Sequence, residues 1–293
     1  PFVQRHLGLI PPDESTGVQR ALEKAGNMAR DYLDVSGLLA VARSAPSWKI
    51  GAFPKPARIR RGIAEPTTIG VIRDAAFQFY YQENIEALTD LGARVIQISA
   101  LENKVLPPVD ALYIGGGFPE TQAEPLAQNE SFRRCVKESA ERGLPIYAEC
   151  GGFIYLGESL TIGHRCYPMV GALPVAFGME RRPQGHGYTT LTVDRENPFF
   201  PMGTTITGHE FHYCRILARE DREMHTAFSI RKGTGIDGAR EGLCRKNILA
   251  GFTHVHALGA PEWANALIAK AQEYRRTKQQ TSGALESGIH MGV

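Results

Sequence analysis

The sequence has 293 residues, 43% hydrophobic and 22% charged, an ordinary globular composition with room for one large domain or two modest ones. Its 33 Lys plus Arg nearly balance 31 Asp plus Glu, and a net charge of +2 excludes a nucleic-acid or anionic-membrane binder that works by bulk electrostatics. No stretch approaches the roughly 18 apolar residues of a membrane helix, and five cysteines without a C-x-x-C pair point to reduced thiols in a cytoplasmic protein.

The chain opens on Pro1-Phe2-Val3-Gln4-Arg5-His6-Leu7-Gly8-Leu9, with no initiator Met and no signal-peptide core, and reads as a strand end inside a longer protein. Helical periodicity follows over 17–43, carried by Val18, Leu22, Ala25, Met28, Ala29, Tyr32, Leu33 and Leu38. Prolines 46, 54, 56 and 66 with Arg58, Arg60 and Arg61 make a linker over 49–66. From Thr67 the pattern becomes strand–helix–strand. Strands are expected at 68–72, 94–98, 110–114 and 144–148, with helices at 78–92 and 121–142. This alternation predicts right-handed βαβ units and a mostly parallel sheet flanked by helices. Beyond Tyr167 short adjacent strands take over, a final helix spans about 261–276, and the Gln-, Ser- and Gly-rich tail over 277–293 is expected to be disordered.

The run Tyr147-Ala148-Glu149-Cys150-Gly151-Gly152-Phe153-Ile154-Tyr155-Leu156 feeds a hydrophobic strand straight into a cysteine, two glycines and a helix. That is the layout of a nucleophile elbow, in which a sharp strand-to-helix turn projects the reactive side chain above the sheet. The helix N-terminus favours a thiolate and a developing oxyanion. Cys135, Cys166, Cys214 and Cys244 lack this context and read as ordinary thiols.

A thiol nucleophile needs a base, and two histidine clusters offer one: Gly208-His209-Glu210-Phe211-His212-Tyr213 and Gly251-Phe252-Thr253-His254-Val255-His256. The second ends a strand just before the last helix, so either His254 or His256 is placed to act. The loop Gly115-Gly116-Gly117 also ends a parallel strand, where α/β sheets bind ligands, and its N–H groups with that of Gly151 suit an oxyanion hole. It lacks the G-x-G-x-x-G spacing of a dinucleotide site, and no G-x-x-x-x-G-K-[ST] loop occurs.

Together these residues resemble a class I glutamine amidotransferase domain, with a flavodoxin-like α/β fold, and more narrowly the cobyrinate a,c-diamide synthase family of cobalamin biosynthesis. The resemblance runs through Arg5 to Leu9, Asp74 to Tyr81, Tyr113 to Glu120, Ala148 to Gly152, Met169-Val170-Gly171 and Gly208 to Tyr213, the last being the most specific. It implies that residues 1–48 end an ATP-binding, dethiobiotin-synthetase-like domain and that 67–276 form the amidotransferase domain. It further implies Cys150 as nucleophile, His254 as general acid/base, and Gly116, Gly117 and Gly151 as the oxyanion hole. L-Glutamine would be the nitrogen donor, and cobyrinate or metal-free hydrogenobyrinate the acceptor. ATP and Mg²⁺ would act in the complete enzyme at a site mostly outside this chain. One departure stands out: class I domains carry a Glu two residues after the catalytic His, where this chain has His256. Glu149, His256, His209 and His212 are therefore the candidates for supporting roles.

Three other readings compete. His209 with His212 and His254 with His256 make a metal site conceivable, but His209 and His212 lie three apart in an extended segment (204–216) and point to opposite faces. A chain lacking the phosphate loop also fits a non-catalytic scaffold, and an amidotransferase for cobyric acid or another tetrapyrrole shares most motifs. Arg181, Arg182, His186 and Arg215 suit either an acidic tetrapyrrole or a solvated basic surface.

Overall fold

The protein is described here by a computed structural model that covers residues 18–47, 66–220 and 223–289. The expected strand end at Pro1–Leu9 and most of the expected linker over 49–66 lie outside the described residues. The chain divides into two compact units, residues 1–58 and 59–293.

In the first unit the helical pattern is interrupted. Helix α1 (Val18–Tyr32) and helix α2 (Val35–Ser44) replace the single expected helix. Asp34 causes the break: its side chain accepts from Gly37 N at 2.8 Å and caps α2, which requires non-helical backbone at the cap itself.

The second unit follows the strand–helix alternation. In chain order come β1 (Thr68–Ile72), α3 (Gln82–Asp90), β2 (Arg94–Ile98), β3 (Ala111–Ile114), a 3₁₀ turn (Pro119–Gln122), α4 (Ala123–Gln128), α5 (Glu130–Glu141), β4 (Ile146–Glu149) and α6 (Gly151–Leu156). Helix α3 starts four residues later than the periodicity suggests, because Phe79 N is drawn to Gly116 O at 3.0 Å and holds 79–81 extended. The expected helix over 121–142 breaks at Asn129, whose side chain turns inward to donate to Ala100 O (2.7 Å) and Asn103 O (2.9 Å).

The second half adds β5 (Ser159–Ile162), β6 (Arg165–Pro168), β7 (Val175–Met179), β8 (Gly185–Val193), β9 (Thr205–His212), β10 (Cys214–Arg219), β11 (His225–Lys232), β12 (Arg240–Arg245), β13 (Ile248–Gly251), β14 (His254–Val255) and α7 (Glu262–Ile289). The extended segment expected over 204–216 divides at Tyr213, and its two halves join different sheets. Helix α7 runs past the expected end at 276 into the segment read as a disordered tail; Lys278, Gln279 and Gln280 are good helix formers that extend it.

Ten strands form one sheet in the order β14-β9-β8-β11-β12-β13-β4-β3-β1-β2. The β13-β4-β3-β1-β2 half is parallel, and the other half is antiparallel. A smaller sheet, β10-β7-β5-β6, packs beside it. Parallel strands buried on both faces should read as continuous hydrophobic runs, and β1, β3 and β4 do. Alternation sends Ile72, Ile114, Ile146 and Ala148 into a core shared with α5 and α6, and Ile69, Val71, Tyr113 and Tyr147 into a core shared with α3 and α7.

The sheet order forces a closure. Strands β13 and β14 stand five positions apart, about 24 Å in a flat sheet at ~4.8 Å per strand, yet Gly251 and His254 are three residues apart and span at most about 10 Å. The antiparallel half must curl until β14 meets β13 again. Phe252 and Thr253 make that crossing.

Trp263 on α7 anchors the second core, its indole edge-on to Tyr113 and Tyr147 with centroids 5.0 and 5.6 Å apart. Trp263→Ala should lower stability by about 3–5 kcal/mol, measured by urea unfolding; a loss below about 1 kcal/mol would show that α7 does not anchor this face.

Candidate active site

Cys150 directly follows β4 and caps the start of α6 with φ 46° and ψ −98°. A non-glycine residue in that left-handed region carries strain of about 1–3 kcal/mol and persists only where its surroundings hold it. Here the hold is backbone. Cys150 N donates to Gly251 O at 2.7 Å and Gly152 N to Gly115 O at 3.1 Å, so the elbow is tied to β13 on one side and the glycine loop on the other. Gly152 has to be glycine because a Cβ there would overlap Ile114 O. The thiol is buried, with its Sγ 4.0 Å from Phe211 O.

The glycine loop lies against both partners. A Cβ on Gly116 would overlap the His254 Cε1 atom, and one on Gly151 would sit 2.9 Å from Gly117 N. The imidazole of His254, the Gly116–Gly117 backbone and the start of α6 therefore share one close-packed patch at the carboxyl ends of parallel strands.

His254 reaches this patch through the sheet closure. It pairs with His209 of β9, and the two rings stack at 4.9 Å. Its Nδ1 lies 3.8 Å from Glu149 Oε2, and both groups are buried. Burial, reinforced by His209 and His212, pushes the His254 imidazolium down to about 3, so the ring is neutral near neutral pH. Burial, with Glu120 adding to it, pushes the Cys150 thiol up to about 12. The helix N-terminus does not hold a resting thiolate here: desolvation outweighs the Gly151 N–H that favours the anion. At rest the thiol and the imidazole are both neutral.

The remaining candidates separate. His256 presents Nε2 to Glu83 Oε2 at 3.5 Å, and its Nδ1 accepts from Leu258 N at 3.1 Å. Both nitrogens are thus engaged away from His254, and the ring leans on Tyr81. His209 faces Tyr81 and His254, and its Nδ1 is 3.2 Å from the Tyr81 hydroxyl. His212 instead stacks on Phe252 at 3.8 Å and its Nδ1 bonds Cys214 O at 2.7 Å. Its Nε2 faces Glu210 at 3.7 Å. His209 and His212 serve different neighbourhoods, and among the described residues no three metal-ligating side chains converge on a point. Of the basic residues, Arg215 is paired with Glu180 at 2.6 Å and His186 packs on Phe211 at 4.7 Å.

Three buried groups escaped sequence reasoning. Asn84, fully buried on α3, donates to Val255 O (2.8 Å) and the Tyr113 hydroxyl (3.2 Å) and accepts from Ala257 N (2.7 Å). Its one sequence signal is a polar residue four before Leu88 on the helix's buried face. Tyr113 donates on to Glu149 at 3.1 Å. Glu241 of β12 accepts from Phe252 N (2.5 Å) and Thr253 N (3.2 Å), the two residues that make the crossing.

A profile of the CobB/CobQ-like glutamine amidotransferase domain matches residues 68–262. The fold is that of solved glutamine amidotransferases. One glutamine amidotransferase is 20% identical with a TM-score of 0.52, covering 70% of this chain and 98% of its own. PurLQS from Thermotoga maritima is 18% identical with a TM-score of 0.52, covering 72% and 99%. The chain belongs to the CobB/CobQ-like glutamine amidotransferase domain family. Among curated relatives, a cobyrinate a,c-diamide synthase of Magnetococcus marinus is 37% identical over 263 residues, 89% of this chain and 56% of that protein. One of Methanosphaera stadtmanae is 36% identical over 278 residues, 92% and 58%. The chain thus spans somewhat over half the length of these relatives.

Burial pushes the Glu241 carboxyl up to about 8, against the backbone N–H groups of Thr253, Phe252 and Gly242 that pull it down. A carboxyl whose folded pKa is raised favours folding most below its unfolded value, and that contribution is lost as pH rises toward 8. His254 acts oppositely but is flat above about 6.5. Glu149 is pushed up to about 8 in the same way, so between pH 6.5 and 8 stability should fall, and Glu241→Gln should lessen that fall without abolishing it, as read by urea unfolding at both pH values. Equal slopes in parent and variant would mean Glu241 is ionised throughout.

Proposed function

We propose that this chain is the glutaminase portion of a cobyrinate or hydrogenobyrinate a,c-diamide synthase, supplying ammonia for amidation of the a and c acetate carboxylates of the corrin. The observation that carries the reading is the placing of Cys150, at a strained strand-to-helix turn, and His254, neutral and buried, against one glycine loop. The particular acceptor is supported by the names of relatives such as those of Magnetococcus marinus and Methanosphaera stadtmanae.

In this mechanism the Cys150 sulfur attacks the side-chain amide carbon of L-glutamine while His254 takes the thiol proton. The tetrahedral oxyanion is met by N–H groups of Gly116, Gly117 and Gly151. His254 then gives its proton to the departing nitrogen, ammonia leaves, and a γ-glutamyl thioester remains on Cys150. Water attacks the thioester with His254 as base, which releases glutamate and restores the thiol. His254 starts neutral, so it can accept the first proton without prior deprotonation.

ATP and Mg²⁺ belong, in this reading, to a site mostly outside this chain. The sequence holds no G-x-x-x-x-G-K-[ST] run, and among the described residues no three metal-ligating side chains converge. We assign both to a synthetase portion of the protein, with residues 1–48 as the end of that domain, 49–66 as the linker and 67–276 as the amidotransferase domain. The division of compact units near residue 58 supports this boundary, as do the exposed apolar residues Tyr32, Leu38 and Val41 on the helical pair. A cytoplasmic location agrees with five free thiols. No helix among the described residues is long and apolar enough to cross a membrane.

Cys150→Ser should abolish glutamine hydrolysis, and His254→Ala should lower kcat by about 10²–10⁴-fold. In the complete enzyme both should spare corrin amidation driven by ammonium salts. A Cys150→Ser protein that hydrolyses glutamine at the parent rate would refute the reading.

A further inference from the structure

We propose that Glu149, the residue immediately before the nucleophile, is the positioning residue for His254, taking the place of the carboxylate that class I domains carry two residues after the histidine. This rests on the glutaminase reading and deepens it.

The argument is geometric. Position 256 is a histidine, and both of its ring nitrogens are engaged with Glu83 and Leu258. The carboxylate that does face His254 comes from another strand. Glu149 ends β4, and strand alternation turns its side chain to the same face as Tyr147, toward the core beneath α3 and α7. One oxygen, Oε1, accepts from Val255 N at 3.0 Å and fixes the backbone next to His254. The other, Oε2, accepts from the Tyr113 hydroxyl at 3.1 Å and lies 3.8 Å from His254 Nδ1. The Tyr147 hydroxyl also bonds the carboxylate. Asn84 in turn holds Tyr113 and, through Val255 O and Ala257 N, the loop that carries the base. One side chain thus fixes both ring and backbone of the base, and its own backbone runs directly into Cys150.

At 3.8 Å the contact is longer than a hydrogen bond, and such contacts at resting sites shorten once substrate is bound. A neutral His254 that presents Nδ1–H to this carboxylate keeps its Nε2 lone pair for the thiol proton. Once His254 is protonated, its charge faces the carboxylate in a buried site. The groups lining Glu149 are donors, namely Val255 N–H and the Tyr113 and Tyr147 hydroxyls. These donors favour the acceptor-only, ionised form, against the burial that pushes this carboxyl up to about 8. Removing the carboxylate while keeping its shape should therefore leave the base in place with the wrong tautomer, as a carboxamide would accept from Val255 and direct N–H groups at Nδ1.

The test compares parent, Glu149→Gln and Cys150→Ser proteins in glutamine hydrolysis, with ¹⁵N-histidine NMR to report the His254 tautomer. The inference expects Nδ1–H in the parent and Nε2–H in Glu149→Gln. It also expects kcat to fall about 10²-fold or more with KM within about twofold. A purely structural role would not reverse the tautomer. An unchanged tautomer, or a kcat within threefold of the parent, would overturn the inference. Should Glu149→Gln fail to fold, the parent spectrum decides alone, since Nε2–H there overturns it. Cys150-independent hydrolysis would refute the glutaminase reading itself, which separates the two failures.

Discussion

The crossing from β13 to β14 is the constraint on which the site depends. Two residues, Phe252 and Thr253, carry the chain from the middle of the sheet, beside β4 and its elbow, to the far edge of the antiparallel run beside β9. Only a curled sheet permits that, and the curl brings together parts from distant sequence. Gly251 O receives the elbow's Cys150 N–H, and three residues later His254 arrives against the glycine loop and His209.

Holding this crossing has an electrostatic cost that the site turns to use. Two buried carboxylates receive its backbone N–H groups: Glu241 takes those of Phe252 and Thr253, Glu149 that of Val255. Burial raises both carboxyls to about 8, a penalty that a purely structural clamp of neutral side chains would avoid. The same dry surroundings keep His254 neutral and the Cys150 thiol protonated. Both groups therefore rest neutral, and no ion pair between them is formed in advance.

The parallel half of the fold was legible because its strands are continuous apolar runs separated by helical periodicity, and the elbow because strand, Cys150, Gly151-Gly152 and helix are contiguous. The glycine loop was legible for the same reason. What local pattern could not carry was contact between distant segments. The spacing to Leu88 puts Asn84 on the buried face of its helix, but nothing local shows what it bonds; its role exists only because the 254–257 loop folds over it. The helix breaks at Asp34 and Asn129 come from side chains that bond backbone instead of continuing the helix, and only the first carries a local capping signal. His254 and His256 look alike in sequence and part in space, one toward the elbow and the other toward Glu83.

The most direct test of the account is to catch the covalent intermediate. Rapid acid quench of the protein during glutamine turnover, followed by peptide mapping by mass spectrometry, should find a γ-glutamyl thioester on the peptide that carries Cys150 and on no other cysteine. Turnover without any such adduct, or with the adduct on Cys135, Cys166, Cys214 or Cys244, would contradict the assignment of the elbow as the reactive centre.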